Sequence, residues 1–226
     1  MKTIAGARWV HLGLALCTLV VVLTTPLYAF VRPAFAEWQY QRRSFPSADR
    51  FGAAERTRLS SALIDYLRHR VTYEEMAALR TDAGDIAMRP SELSHMADVR
   101  RVMDGLCRAQ AIALVLLVAG GVALACTGHH QVFSRGVRRG IELTGALCVV
   151  ILVAATVDFD SFFTTFHQLF FRNGTWLFSW DDTLIQLYPL PFWITAVIGY
   201  VVAMVIEAAL LWGVTLLVER QARPTV

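Results

Sequence analysis

Four stretches of this chain run apolar for close to the ~20 residues that a bilayer core demands. They cover roughly residues 9–30, 109–126, 141–157 and 194–218. Between them the pattern changes twice. Residues 31–108 carry mixed polar and apolar positions, and residues 158–193 are neither a plain loop nor a clean span. Within the first of these, Leu59, Leu63, Tyr66 and Leu67 recur at helical spacing with Arg58, Asp65 and Arg68 on other faces, which predicts an amphipathic helix over about 53–70. Thr72 and Glu75 stand at capping-box spacing and predict the start of a short second helix. Pro90, Ser91 and Glu92 suit a helix entry, and the chain then runs without a break into the second span. The expected architecture is an all-α membrane protein forming one integral domain over 1–226. Its four transmembrane helices carry an extracytoplasmic helical cap and an interfacial aromatic segment.

Composition agrees with that picture. Of 226 residues, 56% are hydrophobic and 17% charged, with mean hydropathy +0.48; a soluble domain carries about a quarter charged residues. The net charge of +3 is too small to suggest a nucleic-acid partner, and the basic residues are better explained by topology. Lys2 and Arg8 precede the first span, Arg135, Arg138 and Arg139 lie between the second and third, and Arg220 and Arg223 follow the fourth. These sites share one side of a four-span chain, and basic excess in short loops marks the cytoplasm. Both termini are therefore expected inside a cell membrane, with residues 31–108 and 158–193 outside. Ala34-Phe35-Ala36 mimics a signal cleavage site, but the apolar stretch before it exceeds the ~7–15 residues of a signal core, which favours an uncleaved span. The four cysteines are scattered, so neither a disulfide framework nor a CxxC metal pattern is expected.

Residues 158–193 hold the densest ring surface, with twelve of the chain's twenty-five aromatic residues between Phe159 and Trp193. Phe163, Phe170 and Phe171 lie at i−4, i+3 and i+4 from His167, which puts all four on one side of a helix. Asp160, seven residues before His167, shares that face and is a candidate to orient it. Asn173-Gly174 is a strong turn dipeptide, and Asp181-Asp182-Thr183 offers a helix start stopped by Pro189 and Pro191. Such a stretch reads either as an active-site floor at the membrane surface or as an aromatic belt with an incidental histidine. His95 falls near the N-terminus of the second-span helix, with Val99, Val102 and Leu106 on its stripe. A helix N-terminus disfavours positive charge, so neutral imidazole is expected there. Asp98 follows one turn later. Glu207, near the middle of the fourth span, is a functional candidate by its location alone. His129-His130 have no acid or thiol nearby, and no metal is expected.

GxSxG, HExxH and P-loop patterns are absent from the chain. The remaining chemistry is proton transfer by imidazole. The blocks Glu92-Leu93-Ser94-His95-Met96 with Asp98-Val99, Phe166-His167 with Phe170-Phe171 and Trp176, and Asp182 with Leu184-Ile185 and Leu187-Tyr188-Pro189 resemble the bacterial lipoprotein intramolecular transacylases. The four-span layout with a large outer segment is similar to that family too. The resemblance implies transfer of the sn-2 acyl chain of a lipoprotein's diacylglyceryl-cysteine to its own α-amino group, giving a lyso-form product. It implies no cofactor, partners limited to the diacylated lipoprotein and membrane lipids, and a catalytic pair at His95 and His167. His95 is the expected base, with His167 polarising the carbonyl or orienting its partner and Asp98 and Asp160 in support. Phe163, Phe170, Phe171, Trp176, Trp180 and Tyr188 are the expected lipid-binding residues. The two imidazoles are expected within hydrogen-bonding reach, directly or one water apart. A scaffold protein or a small transporter would share the spans but leave the histidines idle.

Overall fold

The computed structural model describes residues 2–171 and 174–221, with the side chains of 2–7 and 221 left out. Among the described residues ten helices follow in order: α1 (Lys2–Thr24), α2 (Leu27–Phe30), α3 (Pro33–Tyr40), α4 (Ala53–Leu67), α5 (Tyr73–Ala77), α6 (Pro90–Cys126), α7 (His130–Val157), α8 (Phe159–Phe170), α9 (Thr183–Leu187) and α10 (Leu190–Gln221). Among the described residues the only β pairing is an isolated bridge between Arg80 and Ile86. Four stretches among the described residues are long and apolar enough to cross a membrane: Arg8–Phe30, Pro90–Cys126, His130–Val157 and Leu190–Arg220.

The first of these is not one helix. It breaks at Thr25-Pro26 and resumes as α2, because proline supplies no N–H and clashes with the preceding turn. α6 has 37 residues, or about 55 Å at 1.5 Å per residue, against ~30 Å of hydrocarbon. Its first turns, from Pro90 past His95, therefore lie outside the span proper, which occupies the apolar 109–126.

The chain divides into two compact units. One comprises Met1–Pro26, Leu106–Thr156 and Tyr200–Val226; the other comprises Leu27–Gly105 and Val157–Gly199.

The first unit is a helical bundle. Val22, Cys148, Val201 and Met204 form its buried cluster. α1 and α7 approach so closely that a Cβ on Gly136 would sit 2.6 Å from Leu14, and one on Gly140 would sit 2.6 Å from the Ala15 carbonyl. Small residues permit this approach where lipid supplies no hydrophobic drive between helices. Arg138 ties α7 to α10 through Glu219 at 2.7 Å and Thr215 at 3.0 Å, with its guanidinium 5.2 Å from the Trp212 ring.

The second unit has a more ordinary core of Phe51, Leu59, Leu63, Tyr66, Met76, Ala87, Met88, Met96, Leu184 and Leu187. α4 ends at Leu67, three residues before the expected boundary, and His69 takes φ 61. The Thr72 capping box forms as expected, with Glu75 N donating to the hydroxyl at 3.1 Å and Thr72 N donating to the carboxylate at 2.7 Å. α3 was not foreseen. Its buried Gln39 donates to the Phe192 carbonyl at 3.0 Å, and Tyr40 donates to the Leu187 carbonyl at 3.0 Å. Asp49 N donates to Gln186, and Arg50 to the Asp181 carbonyl. Segments over a hundred residues apart are thereby stitched into one body.

Candidate active site

His95 lies in the second turn of α6 and His167 near the end of α8, and the fold of the second unit brings them together. Their rings stack 6.1 Å apart at 24°, and both side chains are buried, at 7% and 8% exposure. No direct hydrogen bond joins the two imidazoles, so they are neighbours rather than a bonded pair. Around them stand aromatic rings: Phe171 at 4.9 Å and Phe178 at 5.3 Å from His95, both edge-on, and Phe163 at 4.0 Å and Trp176 at 5.1 Å from His167. The pocket is therefore dry enough to favour uncharged imidazole.

Each ring has a distinct hydrogen-bonding state. His167 Nδ1 lies 2.7 Å from the Phe163 carbonyl oxygen. A carbonyl only accepts, so Nδ1 carries the proton and Nε2 keeps its lone pair. His95 Nδ1 is buried with no partner. A buried N–H without an acceptor is the costlier arrangement, which puts the His95 proton on Nε2. Burial pushes His95 down to about 4, the neighbouring His167 adds to the fall, and Asp98 opposes it. Burial also lowers His167, but the Phe163 carbonyl works against that shift by stabilising the protonated ring. His167 thus presents a lone pair at Nε2, and His95 presents an N–H at Nε2.

The structure sorts the remaining candidates. Phe163, Phe171 and Trp176 line the imidazoles. Asp98 is close by, but its carboxylate accepts from Thr175 Oγ1 at 3.1 Å and pairs with Arg101. Asp160 does not orient His167. It is exposed in the first turn of α8, about 10 Å of helix away, and the orienting acceptor is the Phe163 carbonyl. The carboxylate that acts at that helix start is Asp158, which caps α8 by accepting from Ser161 N at 3.0 Å and Ser161 Oγ at 2.6 Å.

Three aromatic candidates stand apart from the imidazoles. Phe170 packs on Phe166 at 5.0 Å and on Phe171 at 6.4 Å. Trp180 is 71% exposed, with only its carbonyl engaged, by Gln186. Tyr188 belongs to the core: its hydroxyl meets Ser60 at 3.1 Å and its ring packs on Phe192 and Trp193. Asn173 lies outside the described residues; Gly174 takes φ +64, as a turn requires.

Two participants escaped the sequence reading. Phe178 packs on His95 from an irregular segment, where face periodicity says nothing. Glu92, a first-turn acid that opens the Glu92–Met96 motif block but has no role of its own in that reading, is wholly buried and joins α6 to α9. Its Oε2 accepts from Arg89 N at 2.8 Å and its Oε1 from Leu184 N at 2.7 Å. Among the described residues no three metal-binding side chains gather.

The family model "Lipoprotein intramolecular transacylase Lit" matches residues 11–193. An uncharacterized protein of Aquifex aeolicus is 28% identical over 162 residues, covering 70% of this chain and 71% of its own. Among solved structures, the membrane-integral lipoprotein intramolecular transacylase Lit from Bacillus cereus superposes with TM-score 0.75 at 16% identity, covering 96% of this chain and 99% of that one. A variant of the same protein with a histidine replaced by arginine gives TM-score 0.71, at 16% identity over 98% and 97% of the two chains. That likeness carries the fold, while the match over most of the chain fixes the family: this is a membrane-integral member of the lipoprotein intramolecular transacylases, an acyltransferase.

Proposed function

We propose that the chain moves the sn-2 acyl group of a diacylglyceryl-cysteine at a lipoprotein N-terminus to that cysteine's own α-amino nitrogen. The observation that carries this reading is the pair of neutral imidazoles of opposite tautomer in an aromatic pocket: a lone pair on one ring and an N–H on the other. The amine attacks the ester carbonyl while His167 Nε2 removes its proton. His95 Nε2–H donates to the oxygen that becomes negative. Collapse breaks the ester C–O bond and leaves an amide, and the proton on His167 passes to the departing glycerol oxygen. Donor and acceptor sit in one substrate molecule, so proximity needs no second substrate. Phe163, Phe171, Trp176 and Phe178 form the apolar wall for the acyl chain, with membrane lipids as the surrounding solvent. The test is mass spectrometry of lipoprotein N-termini from cells with and without the gene. Lyso-form peptides that persist in its absence would refute the reading.

The arginine distribution supports both termini in the cytoplasm and the histidine pocket on the outer side. With Cys17, Cys107, Cys126 and Cys148 replaced, a cysteine at the exposed Ser47 should react with an impermeant reagent added outside, and one at the exposed Gln131 should not. The opposite pattern reverses the orientation.

A further inference from the structure

Glu92 is a carboxylate with none of its surface exposed, which is expensive unless every lone pair in use has a donor. Its two donors belong to distant parts of the chain: the Arg89 amide at the entry to α6, and the Leu184 amide at the start of α9. The second bond reaches across 92 positions. Residues 174–182, immediately before α9, cross the imidazoles, with Trp176 on His167 and Phe178 on His95. That segment is fastened at its near end by Thr175 to Asp98. At its far end Arg89 pairs with Asp181 and Asp182, both at 2.6 Å, and the Thr183 hydroxyl donates to the Ala87 carbonyl. The Arg89–Asp181 pair is on the outside, with both side chains half-exposed or more, and solvent-facing pairs hold little; Asp182 is buried and meets the same guanidinium from the inner side. Within this fastening the Glu92–Leu184 bond is wholly buried, and a hydrogen bond in a low-dielectric interior is costly to break.

We propose that Glu92, three residues before His95 on the same helix, is the positioning residue that sets Trp176 and Phe178 on the two imidazoles. It touches neither ring and acts through the segment it anchors. The role rests on the acyl-transfer reading of His95 and His167, but its first test does not require turnover. In the purified full-length protein in detergent, diethyl pyrocarbonate modification of His95 is followed by peptide mass spectrometry, with the exposed His69 as internal reference. Glu92→Gln keeps size and shape, but an amide offers one acceptor oxygen where the carboxylate offers two. The expected result is modification of His95 at least about tenfold faster relative to His69, the factor that loss of one buried hydrogen bond supports. Lyso-form production should fall through kcat, with KM little changed. His95 as protected and turnover as fast as in the wild type would overturn the proposal.

Should Glu92→Gln fail to fold, Arg89→Ala loosens the same anchor from its exposed side. A smaller rise in His95 reactivity supports the proposal, and unchanged protection overturns it. If reactivity rises as expected but even the wild type yields no lyso-form product, positioning stands and the acyl-transfer reading falls.

Discussion

The two units reach order by opposite means. In the second, the fully buried side chains are large: Leu59, Leu63, Met76 and Leu187 are at 0–1% exposure, as in a water-soluble core. In the bundle unit, the tight helix contact is made by Gly136, Gly140, Ala15 and Thr18, while Val115, Val118 and Leu210 point outward at 64–67% exposure. The bundle's surroundings are as apolar as its side chains, so burying them gains little, and close backbone approach takes over. The histidine pocket lies in the unit with the water-type core, where both imidazoles and the Glu92 carboxylate are buried.

The largest expected effect separates chemistry from architecture altogether. His167→Ala should lower lyso-form production by about 10²–10⁴-fold with little change in unfolding midpoint. His95→Ala should be similar and the double variant little worse, because groups that act as a unit are not additive. Activity that survives His167→Ala at normal expression would end the proposed mechanism.

Leu63→Ala comes next. It opens a cavity in the second unit's core and should destabilise that unit by about 2–5 kcal/mol, read by denaturant unfolding. A cost below half a kilocalorie would mean the cores do not differ as described.

Acid should have a comparable but smaller effect. In the folded protein His95 binds its proton at about 4, against 6.5 ordinarily. Between those values the unfolded chain holds the extra proton, so stability should fall as pH drops through that window, by roughly 3 kcal/mol in all. His95→Ala should flatten much of that slope.

In the bundle, Gly140→Val should cost about 1–3 kcal/mol by overpacking, since its side chain would strike the Ala15 carbonyl. Val115→Leu, facing lipid, should stay within about 0.5 kcal/mol. A large effect there would mean that the face packs against protein instead.

What was legible in the sequence was what periodicity and capping control. The four spans, the uninterrupted entry to α6, the Thr72 cap and the placing of Phe163 against His167 on α8 all follow from local spacing, whereas Phe171 reaches the pocket from extended backbone past the helix end. The histidine pair itself came from resemblance to a family, since 72 positions separate its members and no local rule joins them. Three things were out of reach. Trp180 and Phe178 lie in irregular backbone, where alternation cannot say which ring turns inward. Glu92 looked like any first-turn acid, because its second donor lies in α9. Asp160 shares a face with His167 by spacing, yet a face is not a reach, and the Phe163 carbonyl is the nearer acceptor.

That acceptor has a consequence for how the site tolerates change. The proton on His167 Nδ1 is held by a main-chain oxygen, which every amino acid carries. Replacing Phe163 alters the wall of the pocket, but no side-chain substitution at that position deletes the bond unless it breaks the helix. An alanine scan would therefore report no orienting partner for this imidazole, and a comparison of sequences would find no residue retained for that purpose. The tautomer is inherited with the helix and not with any single letter of the chain.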